Sequence, residues 1–420
     1  MSAVKARVGK VAFTSRSRSL QIPRSLAWPS GFACGAAAAG LKTPGKLDVA
    51  VLVADRAVPA AAVFTTNLVQ AAPVLVSREH LKRGRGRVRA VVVNAGNANA
   101  CTGRQGLRDA REMCRQVAKS LGCPVEQVLV ASTGVIGRQM AMDKVRRGIA
   151  AALKGLGTTA GHFAAFSQAI CTTDRWRKVS GATVSVDGGA VQIIGATKGA
   201  GMIAPNMATT LAFLATDAGM GVAALRQALR RAIAVSYNRA MVDGHMSTND
   251  FAVLLAGGAS GCRVAGRADR DEFESALSTV CLDLVSQIVR DGEGASKRIE
   301  IVVTGARTDR IADGVARTIA MSPLVRTAIF GNDPNWGRIV SAVGYAPGVR
   351  EVGGLRCRIC GIPVYRNGTP THFDAAELSR AMRTERVTIE VELGEGKGEG
   401  FLQASDLTHD YVTVNAEYTT

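Results

Sequence analysis

Apolar positions along this chain fall into two recurrent patterns. Short branched runs such as Val49-Ala-Val-Leu-Val-Ala54 and Val88-Arg-Ala-Val-Val-Val-Asn94, bounded by polar or glycine positions, predict buried strands. Longer stretches carry helical spacing. Leu107, Ala110, Cys114, Val117, Ala118 and Leu121 share one helix face, and Gly122 predicts its end. Phe273, Ala276, Leu277, Val280, Leu284 and Ile288 repeat that spacing across 271–290. Further strands are expected at 182–186, 190–195, 251–256, 299–303, 354–361 and 386–393. Strands alternating with helices, without an internal repeat or long linker, predict an α/β chain whose lobes associate closely. Its 420 residues suggest two or three such lobes.

Composition narrows the class. Apolar residues make up 47% and charged residues 20%, which excludes extensive disorder. The net charge of +18 admits a polyanion partner, but 5% aromatic residues are too few for a base-stacking surface. Lys82-Arg-Gly-Arg-Gly-Arg-Val-Arg89 interleaves no aromatic and reads as a solvated hairpin or loop, so no nucleic-acid partner is expected. Nine scattered cysteines read as reduced thiols rather than a disulfide framework. Cys357 and Cys360 form the one CxxC, inside what reads as a strand; no second pair and no HxxxH accompany it, so no metal is expected. Residues 1–24 carry Lys5, Arg7, Lys10, Arg16, Arg18 and Arg24 and no acid. They fit a mitochondrial presequence or a retained basic arm equally. The uncharged run Gly199 to Thr216 contains Pro205, Asn206 and two glycines, and reads as buried protein rather than a membrane span.

Phosphate-loop, GxSxG, HExxH and GxGxxG signatures are all missing. In their place stand six separated Gly-rich polar segments, at 94–103, 132–137, 198–210, 243–250, 291–297 and 331–338. One such segment is an ordinary turn; six predict a polar pocket lined by backbone. The third contains Ala208-Thr209. A threonine nucleophile needs a base, and its own α-amine, with a reference pKa of about 7.7–8.0, supplies one once the preceding peptide bond is cut. Attack of the Thr209 hydroxyl on the small Ala208 residue's carbonyl is a route to that cut. On composition alone, a threonine at a buried turn-to-strand junction is the plainer account.

The motifs KGAGMIAPNMAT, GNANACTG, STGVIG, CTTD, STND, DGEGASK and GNDPNWGRI, with the terminal stretch Asp406 to Thr420, resemble the bifunctional ornithine acetyltransferase (glutamate N-acetyltransferase) family of arginine biosynthesis. The resemblance runs from about Gly31 to Thr420. It implies layered sheets and helices with a smaller C-terminal lobe, and a precursor cut into an alpha chain (25–208) and a beta chain (209–420), two of each forming a heterotetramer. It also implies that Thr209 takes acetyl from N-acetylornithine and gives it to glutamate, with acetyl-CoA as an alternative donor and no resident cofactor. Thr133 and Gly134 become the oxyanion hole. Thr172, Thr173, Lys198, Glu293, Asn415 and Thr420 become substrate contacts. A cytoplasmic location follows, or a mitochondrial matrix one if residues 1–24 are a presequence.

Chemistry agrees with these roles. A tetrahedral oxyanion needs donors such as a Thr hydroxyl and a Gly N–H. Lys198 suits a substrate carboxylate, and Glu293 an ammonium group. Plainer readings are a surface lysine before a turn and a loop ion pair. The sequence departs from the family pattern at His245-Met246, where Asp-Thr is usual, at Thr210, where Met is usual, and in the basic Arg175-Trp-Arg-Lys178. Two other functions stay open at this point: a self-processed amidohydrolase or aminopeptidase, and a basic nucleic-acid-binding paralogue without catalysis.

Overall fold

Val49, Val51 and Val53 point to one side of a strand and Ala50, Leu52 and Ala54 to the other, and both sides are buried. That is why the run reads as continuously apolar rather than alternating. The computed structural model describes residues 6–8, 11–13, 26–205 and 210–417. Two units divide the chain, a larger one of Leu20–Asn238 and His245–Ile288, and a smaller one of Arg239–Gly244 and Val289–Tyr418.

The larger unit is built on an eight-stranded mixed sheet. Its order is Val128–Val135, Arg87–Asn97, Val49–Phe64, Phe251–Ala256, Leu211–Thr216, Gly189–Lys198 and Lys178–Val186, with Phe32–Ala37 also paired to Val49–Phe64. Two contacts are parallel, Arg87–Asn97 with Val128–Val135 and Phe251–Ala256 with Leu211–Thr216. One face packs on helices Gly103–Leu121 and Met142–Lys154 through Met113, Cys114, Val117, Val145 and Ile149. The other buries an aromatic chain: Trp28 meets Phe163 at 4.9 Å, Phe166 meets Phe213 at 5.3 Å, and Phe213 meets Phe251 at 5.9 Å.

The smaller unit carries a seven-stranded sheet. Its order is Ala240–Met241, Gly398–Ser405, Arg298–Ala306, Arg386–Glu392, Arg356–Ile359, Ile362–Arg366 and Thr369–Pro370. Here the pattern does alternate. Ile299, Ile301, Val303, Val387, Ile389 and Val391 pack against helices Asp309–Met321, Pro323–Gly331 and Trp336–Gly344. Their neighbours Arg298, Glu300, Arg386 and Glu392 pair among themselves or with Arg356 on the opposite face.

The sequence expectations hold at most of these places. The helix expected from Leu107 begins at Gly103 and ends at Gly122, which adopts the left-handed conformation expected of a terminating glycine. Two expectations need correction. The strand expected over 354–361 spans only Arg356–Ile359, because Cys360 and Gly361 turn the chain back with positive φ values of 50° and 79°. Cys357 is nevertheless a core thiol, and Cys360 packs against the same core. The basic stretch 82–89 is neither hairpin nor simple loop: it is the end of helix Ala72–Arg83, a tight turn and the start of a strand. Its charges are locally engaged, Arg83 with Glu79 at 3.0 Å and Arg87 with the Ala57 carbonyl at 2.7 Å. No helix among the described residues is long and apolar enough to cross a membrane.

Candidate active site

Thr133 and Gly134 occupy the end of the strand Val128–Val135, where its pairing with Arg87–Asn97 slips in register at Gly96 and Asn97. Thr133 is buried. Gly134 has φ +129°, and a Cβ there would stand 2.3 Å from the Gly96 carbonyl carbon and 2.6 Å from the Asn97 nitrogen. Only glycine permits this backbone approach. The neighbouring asparagines hold the slip in place rather than facing a ligand. Ser132 Oγ donates to Asn94 Oδ1 at 2.6 Å, and Asn94 Nδ2 donates to the Asn97 carbonyl at 2.8 Å. Asn97 Nδ2 donates to the Arg138 carbonyl at 3.1 Å, and Asn99 Nδ2 to that of Gly106 at 2.9 Å.

Lys198 ends the strand Gly189–Lys198 and is buried, which removes the plain surface-lysine reading. It lies in the electrostatic reach of Asp174. Asp174 is a hub. Its Oδ1 accepts Lys178 Nζ at 2.5 Å and the Gly199 amide at 2.8 Å, and its Oδ2 accepts the Thr172 amide at 2.9 Å. One carboxylate therefore fixes both the threonine segment Thr172-Thr173 and the residue following Lys198. Burial pulls the Asp174 carboxyl up, but the Lys178 and Lys198 ammonium groups with the Gly199 amide outweigh it and bring it down to about 2. Lys42 adds a third cation close by, donating to the Cys171 carbonyl at 2.8 Å. Cys171 itself offers no nucleophile: burial and the Asp174 charge push its thiol up to about 12.

The segment Ser247-Thr-Asn-Asp250 joins two parts of the site. Asn249 Nδ2 donates to the Ala98 carbonyl at 2.6 Å and to the Ser132 carbonyl at 2.8 Å, immediately before Thr133. The adjacent Asp250 accepts the Thr210 amide on Oδ1 at 3.1 Å, and the Phe251 amide donates to the Thr210 carbonyl at 3.0 Å. Two consecutive residues thus tie the Thr133 strand and the residue after 209 to one turn. His245, where the sequence departs from the family pattern, is exposed, while the Met246 carbonyl accepts Asn67 Nδ2 at 3.2 Å.

Glu293 and Asn415 belong to the smaller unit. Glu293 is half-buried, and the Gly294 beside it backs onto Tyr411: a Cβ at Gly294 would stand 2.2 Å from the Tyr411 nitrogen. Thr408 Oγ1 donates to the Gly294 carbonyl at 2.6 Å, so the glutamate loop and the helix His409–Glu417 are held together. Asn415 is exposed on that helix, its amide donating back to the Tyr411 carbonyl at 3.0 Å. Lys297, in the same segment as Glu293, and Asn332 are structural. Lys297 Nζ caps the helix Pro323–Gly331 through the Ile329 carbonyl at 2.7 Å and Asn332 Oδ1 at 2.5 Å. Ala208, Thr209 and Thr420 lie outside the described residues.

Sequence reasoning held Asp174, Lys178, Asn249 and Asp250 inside its motifs and basic stretch but gave none of them a role. Asp174 and Lys178, four apart with opposite charge, carried a signal, but the stretch Arg175 to Lys178 was noted only for its basic departure from the family pattern.

The family model for ArgJ matches residues 33–420. The chain belongs to the ArgJ family. It is 45% identical over 396 residues to the arginine biosynthesis bifunctional protein ArgJ of Rhodopirellula baltica, covering 93% of this chain and 96% of that one. The same-named protein of Nitratidesulfovibrio vulgaris is 44% identical over 391 residues, covering 93% and 98%. Among solved structures, ArgJ of Bacillus halodurans is 40% identical, with a TM-score of 0.48 over 49% of this chain and 98% of that chain. Within the family the nucleic-acid-binding reading loses its ground, and the activity is that of a bifunctional acetyltransferase of arginine biosynthesis.

Proposed function

We propose that the chain cuts itself between Ala208 and Thr209 and that the new N-terminal Thr209 shuttles acetyl from N-acetylornithine to glutamate. The overall activity is that of the ArgJ family, a bifunctional acetyltransferase of arginine biosynthesis. The observation that carries the site assignment is the Asn249-Asp250 pair, which anchors the carbonyl before Thr133 and the amide after Thr209. In the cut, the Thr209 hydroxyl attacks the Ala208 carbonyl, the C–N bond breaks to leave an ester and a free amine, and water hydrolyses the ester. In transfer, that amine takes the hydroxyl proton as Thr209 attacks the acetyl carbonyl, and the proton passes to the departing ornithine amine. The glutamate α-amine then attacks the acetyl ester and restores the hydroxyl. Thr133 and the Gly134 amide receive the oxyanion in each step. Lys198 with Thr172 and Thr173 takes the substrate carboxylate, and Glu293, Asn415 and Thr420 complete the contacts.

Acetyl-CoA serves as a second donor in this reading, the two polypeptides assemble as a heterotetramer, and the enzyme works in the cytoplasm. These rest on the family resemblance. The deciding experiment is mass analysis of the purified protein under denaturing conditions, with N-terminal sequencing. Fragments of 208 and 212 residues, the second starting at Thr209, are expected. Thr209→Ala should stay whole and inactive, and Thr210→Val should cut normally. Steady-state kinetics with acetylornithine and glutamate should be ping-pong. A wild-type chain that stays whole yet transfers acetyl overturns the mechanism.

A further inference from the structure

Asp250 is fully buried, and its two oxygens are used unequally. Oδ1 accepts the Thr210 amide at 3.1 Å, while Oδ2 has no hydrogen-bond partner among the described residues. Thr65 lies nearby, but its one hydroxyl proton goes to the Ser247 carbonyl at 2.7 Å, so it is not spent on the carboxyl. A buried carboxyl oxygen without a partner is costly and calls for a reason.

The surroundings supply one. Phe251 pairs in parallel with Leu211, so Asp250 sits at the mouth of that ladder, where the strand Leu211–Thr216 begins. The Phe251 amide takes the Thr210 carbonyl at 3.0 Å, and the Asp250 side chain takes the Thr210 N–H. Both backbone groups of Thr210 are thereby held, and its side chain is buried. The Thr210 N–H lies in the same rigid plane as the peptide carbonyl of residue 209. An acceptor on that N–H therefore orients the peptide unit joining residues 209 and 210. The same turn holds the Ser132 carbonyl through Asn249 at 2.8 Å, so any shift of Asp250 is referred directly to the strand carrying Thr133.

We propose that Asp250 is the positioning residue that sets the register of self-cleavage and transfer, clamping the Thr210 amide so that Thr209, and not the neighbouring Thr210 hydroxyl, is presented for attack. This rests on the reading of Thr209 as nucleophile. Asp250 touches neither reacting atom; it acts through the peptide that follows the nucleophile. Carboxylate and carboxamide both offer an acceptor oxygen at Oδ1, so Asp250→Asn keeps the clamp and Asp250→Ala removes it.

The test follows the appearance of the new N-terminus in freshly synthesised full-length chain, for wild type, Asp250→Ala and Asp250→Asn, by sequencing and intact mass. Asp250→Ala should cut at least about tenfold more slowly, or yield a fraction beginning at Thr210, as expected for a buried amide deprived of its acceptor. Asp250→Asn should recover the Thr209 cut and most of its rate. For the material that does cut, Asp250→Ala should lower kcat with little change in KM, because no substrate contact is lost. To bypass folding or processing failure, the two polypeptides 1–208 and 209–420 are co-expressed, the second carrying Asp250→Ala; acetyl transfer should again fall in kcat. Wild-type rate and register in Asp250→Ala overturn the proposal, and so does an Asp250→Asn chain as defective as Asp250→Ala. An uncut wild type instead overturns the nucleophile assignment on which it rests.

Discussion

Lys178 and Asp174 meet at 2.5 Å with neither side chain reaching solvent. Such a pair contributes little net stability over an apolar equivalent, but breaking it leaves an uncompensated buried charge. Its use here is geometric, since the same carboxylate holds the Thr172 and Gly199 amides. Lys178→Met should destabilise the protein by about 3–5 kcal/mol, read as a fall in Tm. In the surviving protein KM for the amino-acid substrates should rise more than kcat falls.

Acid should act on this pair in a defined window. The Asp174 carboxyl is lowered in the folded protein to about 2. A lowered carboxyl contributes stability above its unfolded value, near 3.9, and loses it as pH falls through the folded value. The contribution, about 2 kcal/mol, should vanish between about pH 4 and pH 2. Denaturant unfolding across that range should show a steeper acid loss in wild type than in Asp174→Asn.

Asp250 should behave with the opposite sign. Burial pushes its carboxyl well above the usual range, against the Thr210 amide and the Lys198 charge, which favour the carboxylate. A raised carboxyl contributes fully below its unfolded value and loses that contribution as pH rises toward the folded one. Asp250→Asn cannot ionise, so its Tm should exceed that of wild type at pH 7, and the difference should close near pH 4. A variant less stable than wild type at pH 7 contradicts this.

Gly134 and Asn249 support the strand carrying Thr133 in different ways. Gly134→Ala forces a methyl group into the Gly96–Asn97 backbone, so it should abolish both cutting and transfer. Asn249→Ala removes donors from two carbonyls while leaving the backbone fit intact. Its transfer rate should fall about 10–100-fold in kcat, from loss of about 1–3 kcal/mol of hydrogen bonding. A purely structural role for Asn249 predicts lower Tm with unchanged kcat.

Lys198→Ala and Glu293→Ala should each lower kcat/KM at least about tenfold with the fold intact by circular dichroism, since each removes a charge-assisted contact of about 1.5–3 kcal/mol. Wild-type kinetics in either variant removes that residue from the site.

Much of the fold was legible because period carries burial. The alternation at Ile299, Ile301 and Val303 and the helical spacing from Leu107 to Leu121 each found their partners. Strands rich in small or polar residues were not legible: Phe32–Ala37 and Gly398–Ser405 lack a branched run, and their glycines fit close backbone approach instead. The helix Ala72–Arg83 was hidden by its alternating valines and its basic end. At the site, the roles of Lys198 and Glu293 came through resemblance, and the burial of Lys198 then removed the surface reading. The Asp174 hub and the Asn249-Asp250 turn were not legible, because their meaning lies in which distant amides they meet.

The strand order of the larger unit has a consequence for the proposed cut between residues 208 and 209. Leu211–Thr216 and Phe251–Ala256, both after the cut, are woven between Val49–Phe64 and Gly189–Lys198, both before it. Severing the connection makes two molecules by covalent count and leaves one by hydrogen bonding. Neither fragment can depart without unzipping ladders on both its flanks, so each is the other's missing centre or margin. Cleavage at the proposed bond should therefore be invisible to native chromatography.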